Sequence, residues 1–362
     1  MSDLSLLSVC EKFLLPSKAT AVSPLGNGLI NHTYLAECAD GSRFVLQKIN
    51  TVVFSRPKEM MENIIGVCAF LANKIQQAGG DPTREAMRFV PTPEGTYYYQ
   101  TPDGEFYRMS YFIDRAVAYD SPERPGILYE AAYAFGRFQR LLSDYPADTL
   151  YETIPNFHNT PVRYQNFEDA CAKDVAGRAA SVTAELDALR RYAPYVSSIT
   201  EPLEKHRIPL RVTHNDTKLN NVLIDPETNR AICVLDLDTV MPGSLLYDFG
   251  DSLRFAGNHG AEDDRDLSRV WLDLSRYEEY VSGFLKGVGD GITKEEKELL
   301  PISVFMLTYE NALRFMTDYL NGDVYFKILT PDHNLARTRA HLRLMEDILS
   351  KLDDMRAIGE KY

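Results

Sequence analysis

The 362-residue sequence has little cysteine and no cysteine pattern that would bind a metal. Its five cysteines are scattered, with no CxxC pair and no histidine at ligand spacing, so neither a structural zinc site nor a disulfide framework is expected. Unpaired cysteines are typical of a reducing compartment, and a cytoplasmic location is predicted.

Positive charge is also scarce. Lys and Arg number 39 against 52 Asp and Glu, which gives a net charge of -13. A surface this acidic repels nucleic-acid backbones and anionic membranes, so neither is expected as a partner. Any phosphate-rich ligand would have to bring a divalent cation or meet local positive charge.

Long apolar runs and glycine-rich phosphate motifs are missing as well. No run approaches the length that spans a membrane. Residues 1–15, MSDLSLLSVCEKFLL, have no basic segment and include two acids, which predicts an amphipathic helix and not a signal peptide. Because no GxGxxG or Walker pattern occurs, a nucleotide site has to be found from other residues.

The first hundred or so residues predict a small antiparallel sheet with one helix. Alternating apolar residues around Asp40-Gly41 predict one hairpin, and Pro102-Asp103-Gly104 predicts another. Between them, residues 57–80 carry a helical apolar stripe that begins at a proline and ends at two glycines.

The pattern becomes helical after about residue 115. A stripe over 127–142 and a segment over 181–199 predict helices, and Thr293 with Glu296 forms a capping box before another. We therefore predict an α+β fold with a nucleotide-binding lobe over 1–108, a hinge over 109–115 and a catalytic and acceptor-binding lobe over 116–362. A cleft between two such lobes is the expected binding site.

One polar loop lies between two apolar runs. In THNDTKLNNVLID, Asp216 precedes Asn221 by five residues, and a hairpin and an apolar strand ending at Asp236 follow. This order is typical of the acceptor half of a phosphoryl-transfer site. Asp216 is the predicted base, Asn221 and Asp236 are the predicted Mg²⁺ ligands, and Lys218 is the predicted cation beside the transferring phosphoryl group.

The alternative is a solvated turn, in which Asp216 and Asn221 are turn formers and Asp236 is an ordinary strand end. The segment VLDLDTV favours the functional interpretation, since burying carboxylates is costly unless a cation or hydrogen bonds compensate. If the strand continues, Asp238 faces the same side as Asp236. There it would support that ligand or bind a second ion.

Three stretches resemble the aminoglycoside-phosphotransferase and choline-kinase superfamily, relatives of protein kinases: THNDTKLNNVLID, CVLDLDTVMPGSLLYDFGDSLRF and ENALRFMTDYLNGDVYFKI. Within it they resemble the N-acetylhexosamine 1-kinase group, which shares Asn215 in place of the glycine of His-Gly-Asp. The resemblance implies a bilobal protein-kinase-like fold, ATP and Mg²⁺ as cofactors, and transfer to the anomeric hydroxyl of GlcNAc or GalNAc. It also implies that Asp216 is the base and that Asp248 is a buried acid bonded to its loop.

The nucleotide-binding residues are predicted mainly from this resemblance. Gly26 and Gly28, in GNGLINHTY, suit a plain hairpin turn as well as a phosphate contact. The resemblance implies the phosphate contact, with Asn31 and Thr33 in the strand that follows.

A cation on the next strand, FVLQKIN, is expected to face the phosphates. Alternation puts Gln47 and Lys48 on opposite faces, and in many superfamily members the basic residue falls where Gln47 stands, so both are candidates. Glu62 on the following helix is the candidate ion-pair partner, with a solvated helix face as the alternative. The other predicted nucleotide contacts are Ser110 and Tyr111, in the hinge segment 108–112 that reads the adenine.

The acceptor site is predicted on a helical stripe of mixed chemistry. It carries an amide, a guanidinium, an aromatic ring and a carboxylate: Asn311, Arg314, Phe315 and Asp318. A solvated salt-bridging face is the alternative to a sugar pocket, and Arg314 alternatively approaches the phosphate. The predicted sugar contacts are His32, Asn311, Arg314 and Tyr325, of which Arg314 and Tyr325 match the family's sugar-binding stretch.

Two rival functions use the same fold. A kinase for choline would need an aromatic cage and one for an aminoglycoside a run of acids, whereas the mixed stripe favours a neutral polyol; homoserine and methylthioribose are further candidate acceptors. A nucleotide-binding pseudokinase is the second rival, and the presence of Asp216, Asn221 and Asp236 argues against it. The DFG at 248–250 is not read as an activation segment, because LDLD already fills the metal position.

Overall fold

The computed structural model describes residues 3–26, 30–122 and 124–362, with side chains from residue 6 onward. Up to residue 117 its helices and strands are α1 (Asp3–Cys10), β1 (Ala19–Pro24), β2 (His32–Cys38), β3 (Arg43–Ile49), α2 (Pro57–Gln77), α3 (Pro82–Glu85), β4 (Tyr99–Gln100) and β5 (Phe106–Tyr111). Between residues 118 and 243 they are α4 (Ile127–Leu141), α5 (Thr160–Lys173), α6 (Thr183–Arg191), α7 (Thr200–Glu204), β6 (Arg211–Thr213), β7 (Val222–Ile224), β8 (Ala231–Val234) and β9 (Met241–Gly243). The remainder forms α8 (Leu245–Ala256), α9 (Leu274–Val288), α10 (Lys294–Leu320), α11 (His333–Ser350) and α12 (Leu352–Gly359).

The chain divides into two compact units, each drawn from separate stretches of sequence. The first unit contains residues 1–117, 144–155 and 223–241, and the second contains 118–143, 156–222 and 242–362. The sequence pattern did not indicate that 144–155 and 223–241 pack with the first hundred residues. The predicted division into lobes by role, at 108 and 116, stays a prediction.

The first unit is built on an antiparallel sheet, as predicted. Among the described residues the strand order is β1-β2-β3-β5-β4, and both predicted hairpins are confirmed. Gly41 and Gly104 turn these hairpins with φ of +84° and +91°, a conformation that glycine adopts without strain. The predicted helix over 57–80 is α2, with Pro57 in its first turn.

The two faces of this sheet differ in chemistry. One face packs Phe44, Leu46 and Met109 against an apolar cluster that includes Leu6 and Phe13, on and just after α1. Because side chains alternate along a strand, Gln47 and its cross-strand partner Arg108 lie on the opposite face. Polar residues on that face therefore need partners of their own.

In the second unit, glycines allow helices to pack at very short range. A Cβ atom on Gly287 of α9 would lie 2.3 Å from the carbonyl oxygen of Tyr133 in α4, and one on Gly250 of α8 would lie 2.4 Å from that of Ser303 in α10. The glycine of the DFG sequence thus serves helix packing. Among the helices of the described residues, none has both the length and the apolarity of a membrane span.

One helix prediction is confirmed and another is too long. The capping box of Thr293 and Glu296 is present, and α10 continues through Pro301. The helix predicted over 181–199 ends at Arg191, and a short 3-10 turn follows. Pro194 explains this end, since proline has no N–H to donate and disfavours helical geometry in the residue before it.

The α4–α9 contact yields a stability prediction. Gly287→Ala should lower the free energy of unfolding by about 1–3 kcal/mol, because the added methyl group has to displace backbone. The matched control is Gly359→Ala, where nothing lies within 4 Å of the added Cβ. Urea unfolding measures both. Equal stabilities for the two variants would contradict the close packing.

Candidate active site

The loop that contains Asp216 begins with an uncommon backbone conformation. Asn215 has φ of +65°, in the left-handed region that asparagine tolerates better than most residues other than glycine. This explains why asparagine can stand where the superfamily usually has glycine. Its Nδ2 also donates to the carbonyl of Thr213, at 3.2 Å. His214 just before it is fully buried, with the rings of Phe135 and Phe138 edge-on to its imidazole.

Asp248, in the first turn of α8, fixes this loop. Its Oδ1 accepts the backbone N–H of Asn215 at 2.8 Å, and its Oδ2 accepts that of His214 at 3.0 Å. Gln139 of α4 donates to the same Oδ2 at 2.7 Å and also to the carbonyl of Val212. The predicted role of Asp248 as a buried acid bonded to the loop is confirmed.

A second set of hydrogen bonds holds the other side of the loop. The hydroxyl of Thr217 donates to the carbonyl of Asp248 at 2.6 Å, and that of Ser252 donates to the carbonyl of Thr217 at 2.8 Å. Tyr280 of α9 donates to the Ser252 hydroxyl. Burial raises the pKa of the Asp248 carboxyl, while His214 and the N–H donors oppose that shift. The loop is therefore anchored to α4, α8 and α9.

Asp216 itself remains partly exposed among polar neighbours. Lys218 places its Nζ 2.8 Å from Oδ1. Asn221 donates from Nδ2 to the main-chain carbonyl of Asp216 at 2.8 Å and, more weakly, to Oδ2 at 3.3 Å. The structure thus brings together three of the predicted residues: a carboxylate, an ammonium group and an amide. A carboxylate in this position can accept a proton from an alcohol.

In the first unit, the residues after β8 form a tight turn. The strand ends at Val234, Asp236 has φ of +56°, and residues 237–239 form a 3-10 turn. The strand does not continue through Asp238, so the condition under which Asp238 would face the same side as Asp236 is not met: the left-handed residue breaks the alternation. Asp236 is exposed, while Asp238 points inward and is buried.

Asp238 is matched by a buried cation that the sequence analysis assigned to the hinge. The Nη1 atom of Arg108 lies 2.5 Å from Oδ1 of Asp238, and Asn31 donates to Oδ2 at 2.7 Å. Arg108 also donates from Nε to Oε1 of Gln47 at 2.9 Å, and Gln47 donates to Thr33. The charge of Asp238 is thus neutralised by protein groups, as expected of a residue that supports Asp236.

Lys48 lies on the other face of the sheet from Gln47. It forms an ion pair with Glu105, whose second oxygen accepts the Tyr107 hydroxyl at 2.7 Å. The carboxylate of Glu62 instead accepts the hydroxyl of Tyr151, and this bond raises the pKa of Tyr151. Among the described residues, the partner of Lys48 is therefore Glu105 and not Glu62. The predicted ion pair between Lys48 and Glu62 is therefore wrong, while the phosphate contact of Lys48 stays a prediction.

The first part of the predicted hinge, residues 109–111, is strand. Segment 106–111 is β5, so Arg108 belongs to the sheet. The N–H of Tyr111 donates to the carbonyl of Arg88, and that of Phe112 to the carbonyl of Arg43. Because these two donors are already engaged, a base would not be read through the N–H groups of Tyr111 and Phe112, and the adenine contacts of Ser110 and Tyr111 stay a prediction.

The glycine-containing turn before β2 is only partly described. Gly26 has φ of +68° with open space around its Cβ position, as in a plain turn. Gly28 lies outside the described residues. His32 is exposed at the start of β2, paired across the sheet with Lys48.

The stripe on α10 is mostly buried, which excludes the solvated face. Asn311 donates to the carbonyl of Leu307, and Phe315 packs against Phe326. Asp318 accepts three backbone N–H groups of the turn that follows α10, from residues 324, 325 and 326. Asn311, Phe315 and Asp318 thus have structural partners, and of the four only Arg314 is not fully buried.

Arg314 stands in a positively charged environment. Its guanidinium lies 5.4 Å from the ring centre of Phe326 and 5.8 Å from that of Phe157. Burial, and after it the charge of Arg314, lowers the pKa of Arg163. Tyr325, another predicted sugar contact, is 69% exposed on the turn held by Asp318.

One buried carboxylate lies near these two arginines, and it is already bonded. Glu310 is 2.7 Å from Nδ1 of His158 and accepts the hydroxyl of Thr160 at 2.9 Å. Burial acts to raise the pKa of Glu310, but His158, Arg314 and Arg163 outweigh it and the pKa is lowered. Taken together, these groups make a local excess of positive charge on an acidic protein.

The residues proposed as magnesium ligands have suitable donor atoms. Asn221 uses Nδ2 for its bonds to Asp216, so its carbonyl oxygen is the atom left for a cation. Asp236 offers an exposed carboxylate on a fixed turn. Among the described residues, no group of three or more His, Cys, Asp or Glu side chains is arranged to hold a metal. Each of the two residues, taken by itself, offers the kind of oxygen atom that a hard cation prefers.

The sheet of the first unit, the helices of the second and the Asp216 loop define a protein-kinase-like phosphotransferase fold. A match to the phosphotransferase enzyme family covers residues 21–280, more than half of the chain. The protein therefore belongs to the phosphotransferase enzyme family.

Solved structures share this fold along nearly the whole chain. An aminoglycoside phosphotransferase from Alicyclobacillus acidocaldarius is 15% identical, with a TM-score of 0.61 over 98% of this chain and 96% of that one. A choline kinase from Cryptosporidium parvum is 12% identical, with a TM-score of 0.59 over 99% of both. An amicoumacin kinase bound to AMP-PNP, Ca²⁺ and amicoumacin is 14% identical, with a TM-score of 0.53 over 100% and 94%. The predicted superfamily and fold class are confirmed.

Several polar residues near the predicted site residues were not predicted from the sequence. They are Asn63, Gln139, His158, Arg163 and Thr217. Arg108 was assigned to the hinge. The sequence did contain an indication that it is a buried cation, because a lone charge in the apolar strand FYRMSY needs a buried partner.

Asp248→Asn tests the anchoring of the loop. The amide keeps the size of the carboxyl but points an N–H₂ group at backbone donors, so the variant should lose about 1–3 kcal/mol of stability. It should also lose most catalytic turnover at temperatures where it stays folded. Asp266→Asn is the control, since asparagine caps its exposed turn equally well. Thermal unfolding measures the loss of stability, and a turnover assay measures the loss of activity. Full turnover in folded Asp248→Asn would contradict the claim that Asp248 anchors the loop.

Proposed function

We propose that the protein transfers the γ-phosphoryl group of ATP, with Mg²⁺, to the anomeric hydroxyl of an N-acetylhexosamine such as GlcNAc or GalNAc, which makes a sugar 1-phosphate. The observation that carries the proposal is the Asp216 loop, a partly exposed carboxylate beside an ammonium group and an amide on a buried anchor. This is the arrangement that phosphoryl transfer to an alcohol requires.

Asp216 acts as the base in this proposal. Its carboxylate accepts the proton of the sugar hydroxyl as the oxygen attacks the phosphorus, a contribution of about 10²–10⁴ in rate. Lys218, held at Oδ1 of Asp216, neutralises charge on the transferring group. Asn221 keeps the Asp216 carboxylate oriented through its Nδ2 bonds. Positioning and electrostatics supply the rest of the acceleration.

Magnesium is proposed to bind through Asn221 and Asp236, and it would neutralise the charge of the ATP phosphates. Both residues offer oxygen atoms of the kind that hard cations prefer. The nucleotide contacts proposed from this chain are Asn31, Thr33 and Gln47. Neutralisation by a cation is needed on a protein of net charge -13, since the bare nucleotide would be repelled.

A neutral acceptor is favoured by the charges around Arg314. Arg163 and Arg314 lie close enough to affect one another, and Glu310 is occupied by His158 and Thr160. A cationic acceptor such as choline or an aminoglycoside would meet like charge here. Hydroxyl and acetamido oxygens of a sugar would instead accept hydrogen bonds from a guanidinium, and the exposed ring of Tyr325 can stack on a sugar face.

Product analysis tests the function. The protein with MgATP should convert GlcNAc or GalNAc to a 1-phosphate, which phosphorus NMR identifies by the coupling of phosphorus to the anomeric proton. Choline, homoserine, methylthioribose and an aminoglycoside are the comparison acceptors. Phosphate on any of these in preference to a hexosamine would reject the proposed acceptor, and nucleotide binding without turnover on any acceptor would make the protein a pseudokinase.

Arg314→Ala tests whether Arg314 contacts the sugar or the nucleotide. We expect the KM for the sugar to rise at least tenfold, about 1.4 kcal/mol of binding, while the KM for ATP changes less than twofold. Arg339→Ala is the matched control, because that exposed arginine pairs with Glu185 on the surface and should leave both constants unchanged. A rise in the KM for ATP alone would instead indicate that Arg314 contacts the phosphate groups of the nucleotide.

A further inference from the structure

We propose that Arg108, and not a lysine on β3, supplies the positive charge in the first unit on which MgATP binding depends. It works as a positioning residue: Arg108 holds Asp238, and Asp238 holds the turn that contains Asp236. The inference rests on the proposed function, since it concerns how MgATP is held. All of the residues that carry it belong to the first unit.

Arg108 is almost entirely buried, with 1% of its surface exposed. It lies mid-strand in β5, opposite Gln47 of β3, and Nε donates to the Gln47 side-chain oxygen at 2.9 Å. Its Nη1 lies 2.5 Å from Oδ1 of Asp238. A guanidinium removed from water at this cost needs both partners, and its planar fork reaches two of them at once where a lysine would reach one.

Three parts of the first unit hold the turn that contains Asp238. Asn31, just before β2, donates to Oδ2 of Asp238 and accepts the N–H of Asn50, which follows β3. Asn63 of α2 donates to the carbonyl of Val240 on the far side of the turn, at 3.0 Å. Residues 236–240 are therefore held from the sheet and from α2, and the Arg108–Asp238 ion pair is a charged contact of this turn.

Asp236 needs such support because of its backbone. Its φ of +56° is uncommon for a residue with a side chain, and such conformations persist where the surroundings determine them. Asp238, two residues further on, forms the ion pair with Arg108. When Arg108 holds Asp238, the exposed residue Asp236 stays on a turn of one conformation, which is what a metal ligand requires.

Lys48 cannot take this part, although it is the lysine on β3. Its side chain lies on the opposite face of the sheet, in an ion pair with Glu105. Gln47, on the face of Arg108, has no charge. Arg108 is the cation that the described residues place on that face against the Asp238 turn.

The test measures how strongly magnesium improves nucleotide binding. Isothermal titration calorimetry gives the Kd for ADP with Mg²⁺ and with EDTA, and the ratio of the two reports on the metal ligands alone. In Arg108→Met this ratio should fall at least tenfold, while the Kd in EDTA changes less than threefold. A merely structural role would lower the fraction of binding-competent protein and leave the ratio unchanged. Arg108→Lys should give an intermediate ratio, because it keeps the charge but not both contacts.

Two further variants keep the result interpretable. Should Arg108→Met fail to fold, the double variant Arg108→Met, Asp238→Asn removes the uncompensated buried carboxylate and takes its place in the comparison, with the same expected loss. Lys48→Met should keep the wild-type ratio. A wild-type ratio in folded Arg108→Met or in the double variant would overturn the inference, as would a lost ratio in Lys48→Met. A wild-type protein that binds no MgADP would instead reject the proposed function.

Discussion

The buried carboxylate of Asp248 is the constraint on which the proposed chemistry depends. It accepts the backbone N–H groups of His214 and Asn215 and the side chain of Gln139, at 2.7–3.0 Å. An acceptor with three donors inside a helical core leaves its neighbours little freedom, since each unmade bond would be costly. The left-handed Asn215 and the outward direction of Asp216 both follow from that anchor.

The first unit also has a buried carboxylate that holds a turn, but there a cation neutralises its charge. There the buried carboxylate is Asp238, held by Arg108 and Asn31, and the exposed group two residues before it is Asp236. In each unit a carboxylate that never meets solvent fixes a left-handed turn, and a nearby carboxylate on that turn stays accessible. The buried acid supplies rigidity and the accessible one supplies chemistry, which explains two acids in the strongly apolar VLDLDTV.

The sequence predicted the sheet, its two hairpins, α2, the capping box of α10 and the loop from His214 to Asn221, because local periodicity and turn residues determine these features. It failed where distant contacts decide. Asp236 lies outside the strand, on a turn whose Asp238 pairs with Arg108, and Lys48 pairs with Glu105, which is 57 residues away in sequence. The stripe on α10 was recognised as unusual, but only the structure shows that Asp318 caps the following turn while Arg314 stays available.

The account can be tested most directly at Asp216. We expect Asp216→Asn to bind MgADP with a Kd within twofold of wild type and to lose turnover of the sugar by about 10²–10⁴-fold, because the amide cannot accept the hydroxyl proton. Single-turnover rates with the sugar saturating separate the chemical step from binding. Turnover within threefold of wild type in the folded variant would contradict the claim that this carboxylate is the base.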